Sequence, residues 1–137
     1  MATSPEGKIE AALMKRVATN PLSLPIAWPN VDFNVPASRK YLRVQHIPNT
    51  VTRQHINSDG AHRFLGILQV SVHWPKDVGG IAPREAAGVV VAHFPCDLKL
   101  IEDGVEVRIM QRPTAEDVLI GDADVQIPVM IQYESVN

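Results

Sequence analysis

Five histidines, His46, His55, His62, His73 and His93, have the widest chemical reach of any residues in this 137-residue chain. A zinc site built locally shows itself as H-x-H on a strand or H-E-x-x-H on a helix. Neither spacing occurs. His55 and His62 point to opposite faces of the hairpin register given below, so they do not share an ion. His73 is read either as a protonation-sensitive interface residue or as an ordinary surface histidine.

Nucleophilic chemistry fares no better. There is no G-x-S-x-G, and the single Cys96 lies between Pro95 and Asp97 without a histidine or acid at a motif spacing. An inert thiol is expected. One cysteine cannot close an internal disulfide, which suits a reducing compartment. Gly79-Gly80 follows a strand and precedes a helix, but lacks both the G-x-G-x-x-G frame and a P-loop lysine, so it reads as a tight turn. Glu102-Asp103 and Glu116-Asp117 read as solvated acids of turns and connectors. The expectation is therefore no catalytic residue, no metal and no cofactor. Arg39, Lys40, Arg43, Arg53 and Arg63 form the densest basic group. They suit an acidic partner surface, DNA threading past, or a plain solvated face.

The formal charge of −2 gives no overall basic footprint for nucleic acid and no long-range pull toward anionic membranes. Residues 1–137 are read as one domain, with 45% hydrophobic and 20% charged residues. No apolar signal core and no membrane-length apolar run is seen, so a cytosolic site of synthesis is expected.

The elements that position these residues are organised around Arg63–Gly80. Phe64, Leu68, Val70, Val72 and Trp74 share one face of a long strand; Leu65, Ile67, Gln69, Ser71 and His73 share the other. The first face is core. The second is apolar at one end and polar at the other, and something should cover part of it. Ser4-Pro5-Glu6 starts an amphipathic helix that ends near Asn20. Pro21, Pro25, Pro29 and Pro36 punctuate a link in which Ile26–Trp28 forms a short edge strand. Tyr41–Ile47 is a second strand, and Pro48 breaks its pairing to leave a polar arm at about 48–62. Pairing Asn57 with Ala61 across Ser58-Asp59-Gly60 sets Val44 opposite Trp74. Ile81 to His93-Phe94 is a second, mostly apolar helix. Asp97–Leu100 and Val105–Gln111 form a hairpin, and Ala115–Gly121 is a connector of uncertain form. The closing strand alternates Ala123, Val125, Ile127, Val129, Ile131 and Tyr133 against Asp124, Gln126, Pro128, Met130, Gln132 and Glu134, with Pro128 indicating a sheet edge or a bulge. The fold class expected is α+β: a mostly antiparallel twisted sheet of four to six strands, with two helices on one face. A second face carrying Ile47, Leu65, Ile67 and Met130 among polar groups has the makeup of a subunit or partner interface. Arg43, Arg53, His55, Arg63 and His73 are added to that interface.

The strand Y-L-R-V-Q-H-I-P, the stretch G-I-L-Q-V-S-V-H-W-P-K-D-V-G-G, the apolar helix ending H-F-P and the closing P-V-M-I-Q-Y together resemble the tail terminator-like proteins of long-tailed bacteriophages, from about Lys8 to Tyr133. That resemblance implies a structural virion protein with no catalytic residues. It implies a ring, usually of six copies, seated on the last tail-tube ring, halting tube polymerisation and offering the surface that joins the head. The implied partners are other copies of the chain, the tail-tube protein and a head-completion or connector protein. DNA would pass through without sequence-specific binding, no membrane is involved, and the place is the head-proximal end of the tail after assembly in the host cytoplasm. Two alternatives stay open: another head–tail connector or tail-tube component, and a small-molecule-binding or enzymatic α+β domain with a pocket between sheet and second helix.

Overall fold

The computed structural model describes residues 3–53 and 62–136. Helix α1 (Pro5–Ala18) begins as its sequence dictates. Ser4 Oγ accepts from the Gly7 N–H at 3.1 Å, Pro5 occupies the first turn, Glu6 is near the positive end and Lys15 and Arg16 near the negative one. Ile9, Ala12, Leu13 and Val17 form its buried stripe. There follow β1 (Ile26–Ala27), β2 (Tyr41–Arg53), β3 (His62–Pro75), α2 (Ile81–His93), β4 (Lys99–Glu102), β5 (Val105–Ile109), β6 (Thr114–Ala115), β7 (Leu119–Ile120) and β8 (Asp124–Val136). Asp103 and Gly104, both at positive φ, make the two-residue turn between β4 and β5. That turn is the kind whose twist matches paired strands.

The sheet runs β1-β2-β3-β8-β5-β4, with β6 and β7 also paired to β8. Every pairing is antiparallel except β1 with β2. Both helices lie on one face, and one hydrophobic cluster joins Leu13 and Val17 of α1, Ala87 and Val90 of α2, and Leu42, Leu68, Val70, Val107, Ile127 and Ile131 of the sheet. Trp28 packs against the rim of that cluster. The C-terminal ends of the helices are tied directly. The Arg16 guanidinium donates to the His93 carbonyl at 2.8 and 3.0 Å, and His93 Nε2 donates to the Arg16 carbonyl at 2.8 Å.

The α+β expectation holds, with three corrections of detail. First, Val44 pairs with Val70, not with Trp74. The slip is an even number of residues, so the core face was still identified: strand alternation repeats every two residues and cannot distinguish registers that differ by four. Second, Pro48 does not break the β2–β3 ladder. The register shifts between Pro48 and Thr50 and pairing resumes through Arg53 and His62, a bulge absorbing the residue that cannot donate. The predicted hairpin tip at Asn57–Ala61 lies outside the described residues. Third, β8 is not an edge strand, since β3 flanks it on one side and β5, β6 and β7 on the other. Pro128 is tolerated because its carbonyl and its nitrogen point to the β6–β7 side. There Glu116 N–H reaches the Pro128 carbonyl at 2.8 Å and the neighbouring chain then leaves the ladder until Leu119. These two short strands also bring the count to eight, above the expected four to six.

Candidate assembly surface

The face of the sheet turned away from the helices is built in transverse rows set by the register. Tyr41, His73 and Gln126 form the first row, Arg43, Ser71 and Pro128 the second, Gln45, Gln69 and Met130 the third, and Ile47, Ile67 and Gln132 the fourth. Leu65 and Glu134 follow, with Arg108 of β5 beside Glu134. The two ends of this face differ.

At the Tyr41 end the proline-rich link folds back over the sheet. Phe33 lies against Tyr41 with ring centroids 5.0 Å apart, and Tyr41 stacks on His73 at 4.3 Å with the rings nearly parallel. Arg43 reaches over the outer side of Tyr41 at 5.7 Å, within cation–π range. Tyr41, Ser71 and His73 are all buried. His73 is thus no ordinary surface histidine. Its Nδ1 is 3.3 Å from Asp124 Oδ2, while Nε2 has no partner among the described residues. Burial lowers the His73 pKa, and Arg43 adds to this; the hydrogen bond and charge of Asp124 oppose it without prevailing. The neutral ring is the form this packing selects.

At the other end the surface is open and more apolar. Ile47 is exposed, and Leu65, Ile67 and Met130 are half-buried. A network of charges borders it. Glu134 accepts from Arg63 Nε at 2.8 Å and from Arg108 Nε at 2.9 Å, Arg108 Nη2 closes a second bond to it, and Arg108 Nη1 meets Asp97 at 2.7 Å. Arg108 first, and then Arg63, hold the Glu134 carboxyl below the usual carboxylate range against the opposing cost of burial.

Of the residues singled out from sequence, Arg43, Arg63, Leu65, Ile67, His73 and Met130 do share this face, but not one environment. Leu65, Ile67 and Met130 lie at its open end. Arg43 and His73 belong to the covered end, and Arg63 is committed to Glu134. Arg53 ends β2, and His55 lies outside the described residues.

Sequence reasoning missed a polar chain on the opposite, core face. His46 Nδ1 is 3.0 Å from Glu10 Oε1 of α1, and His46 Nε2 is 2.6 Å from the Tyr133 hydroxyl of β8. Burial, and next the charge of Glu10, push the Tyr133 pKa up to about 12, so the phenol stays protonated and serves as a fastener between helix and sheet. Gly66, directly across from Tyr133, leaves room for the ring: a Cβ there would come within 2.7 Å of Tyr133 Cζ. A glycine inside an otherwise β-rich strand was the available signal for this close approach.

A groove of about 490 Å³ opens where α2 begins, between the loop after β3 and strands β7 and β8. No three metal-ligating side chains gather anywhere among the described residues, and no helix there is long and apolar enough to cross a membrane.

The α+β sheet thus has one face filled by its own helices and the other left half open. The chain belongs to the phage tail terminator protein family, which matches over residues 8–133, and it is therefore a structural protein of the phage tail. It is similar over nearly its whole length to a solved structure of 28% sequence identity, with a TM-score of 0.80, covering 98% of this chain and 96% of the other. It also shares its fold with a chain from the virion of a native gene transfer agent particle, at 15% identity and a TM-score of 0.66, covering 98% of both chains. No curated protein matches it.

Proposed function

We propose that copies of this chain close into a ring, six in the pattern implied by the resemblance, that caps the last ring of the tail tube. There it stops tube polymerisation and presents the surface that a head-completion or connector protein joins. The ring sits at the head-proximal end of the tail after assembly in the host cytoplasm. It catalyses nothing, holds no cofactor and lets DNA pass without reading its sequence. The observation that carries this reading is membership of the tail terminator family across residues 8–133.

The open end of the outward sheet face, centred on Leu65, Ile67 and Met130 and rimmed by Arg63, is the surface offered to a neighbour, with Arg43 and His73 on the same face at its covered end. The β2–β3 ladder continues past Pro48 to Arg53 beside it, and Arg53 and His55 are counted with this surface as candidates. Half-buried apolar side chains framed by satisfied charges are the usual composition of such a patch. Native mass spectrometry is expected to give six copies of the 15.1 kDa chain, and electron microscopy closed rings. Phage lacking the protein should make overlong tubes that do not join heads. Tubes of normal length in its absence would overturn the capping role.

A further inference from the structure

We propose that the groove at the start of α2 receives the proline-bracketed link, residues 29–36, of the next copy, so that neighbours join head to tail across the width of the sheet. This deepens the ring reading above and rests on it. Large apolar side chains exposed at the Tyr41 end of the molecule fall into two patches. Val31 and Val35 project from the link, 61% and 46% exposed; Ile81 and Ile120 flank the groove, 79% and 70% exposed. The register places these patches at opposite edges of the same end. Tyr41 pairs with His73, His73 with Gln126, and Gln126 with Leu119. The link enters at one terminus of that row and β7 closes the other, three strand spacings or about 14 Å away. Because the patches are different surfaces, a contact between them is heterologous: each copy gives its link to one neighbour and its groove to the other. Contacts of that kind close into rings when their rotation divides a circle.

Charge and stiffness favour the same occupant. Asp32, exposed beside Val31, has no ion pair among the described residues, nor do Lys76 and Arg84 at the mouth of the groove; the one acid there is Asp77. Arg84 donates to the Glu116 carbonyl at 3.0 Å and is otherwise open to a carboxylate. The groove has an apolar floor that includes Pro83 and Ile127. Phe33 already fixes the link on Tyr41, and Pro29 and Pro36 stiffen it, so little conformational freedom is lost when it docks.

The test compares Val31→Lys, Ile120→Glu and the double variant by native mass spectrometry across a dilution series. Both positions are exposed, so each chain should fold as before, which circular dichroism checks. Each single variant should raise the concentration for half-assembly about tenfold or more. The double should recover much of that loss, because every contact then sets the new lysine against the new glutamate. Singles that assemble like the unaltered chain, or a double in which the losses multiply, would overturn this contact and leave the ring itself standing. A native chain that stays at 15.1 kDa at every concentration would overturn the ring reading, and this contact with it.

Discussion

The two ends of the outward sheet face reverse the usual distribution of polarity. The end that is polar in sequence, with Ser71 and His73, is buried, while the apolar end, with Ile47 and Ile67, is left partly open. The difference lies in the chain that precedes β2. The link returns over the Tyr41 end, where Phe33 packs on Tyr41 and Tyr41 covers His73, while Ile67 at the other end is left half-buried. Burying an ionisable ring beneath aromatics while leaving aliphatic side chains in water is a poor arrangement for a solitary molecule. For a chain that meets neighbours it is an ordinary one.

The largest effect expected from breaking this contrast comes at the covered end. Tyr41 is 4% exposed between Phe33 and His73, and Tyr41→Ala should cost about 3–5 kcal/mol in urea unfolding, as removal of a buried aromatic does. A loss below about 1 kcal/mol would mean that the link rests on the sheet without holding it. Next is Gly66→Ala, which tests the support beneath the open end. The added methyl collides with the Tyr133 ring, displacing it from His46. A cost of about 1–3 kcal/mol is expected from such overpacking, with the near-ultraviolet tyrosine signal altered.

Acidification should come third and separate the ends by pH. The His73 pKa in the folded chain lies below its unfolded value of 6.5, so the unfolded state takes up the proton first. Stability should therefore fall as pH drops below 6.5 toward the lowered folded value, and His93 contributes in the same direction. The Glu134 network at the open end behaves differently. Its carboxyl is depressed below 4.5, so its contribution is intact above that value and lost only as pH falls further through the folded pKa. His73→Phe should flatten the first slope and spare the second; an unchanged slope near pH 6 would remove His73 from the account.

The smallest effect on folding is expected from Ile67→Glu. It should change unfolding free energy by under about 1 kcal/mol, as changes on partly exposed surface usually do, yet weaken assembly. Full assembly of that variant would take the open end out of the interface.

Most of the elements were legible in the chain because each is specified locally. The Ser4-Pro5 start of α1, the alternation through β3 and β8 and the turn at Asp103-Gly104 all follow from side chains within a few residues of one another. What was not legible involved distance. The β2–β3 register depends on a bulge near Pro48, and alternation looks the same four residues along. Pro128 marked an interruption in the neighbouring chain rather than an outer strand, which no local pattern reveals. The candidate surface was half legible: Leu65, Ile67 and Met130 could be placed on one face by parity, whereas the burial of His73 and the capture of Arg63 by Glu134 required knowing what lies across the sheet.

By itself, then, the order of residues determined both helices and the strands other than β6 and β7, and which side of the long strands is core, because backbone geometry repeats over two or 3.6 residues and side chains answer to it directly. Tertiary structure alone decided that Phe33 packs on Tyr41 over the end where His73 is buried, that Glu10, His46 and Tyr133 meet over Gly66, and which part of the second face stays uncovered. Those contacts join residues far apart in the chain, and only chain closure in space brings them within the few ångströms at which hydrogen bonds and packing act.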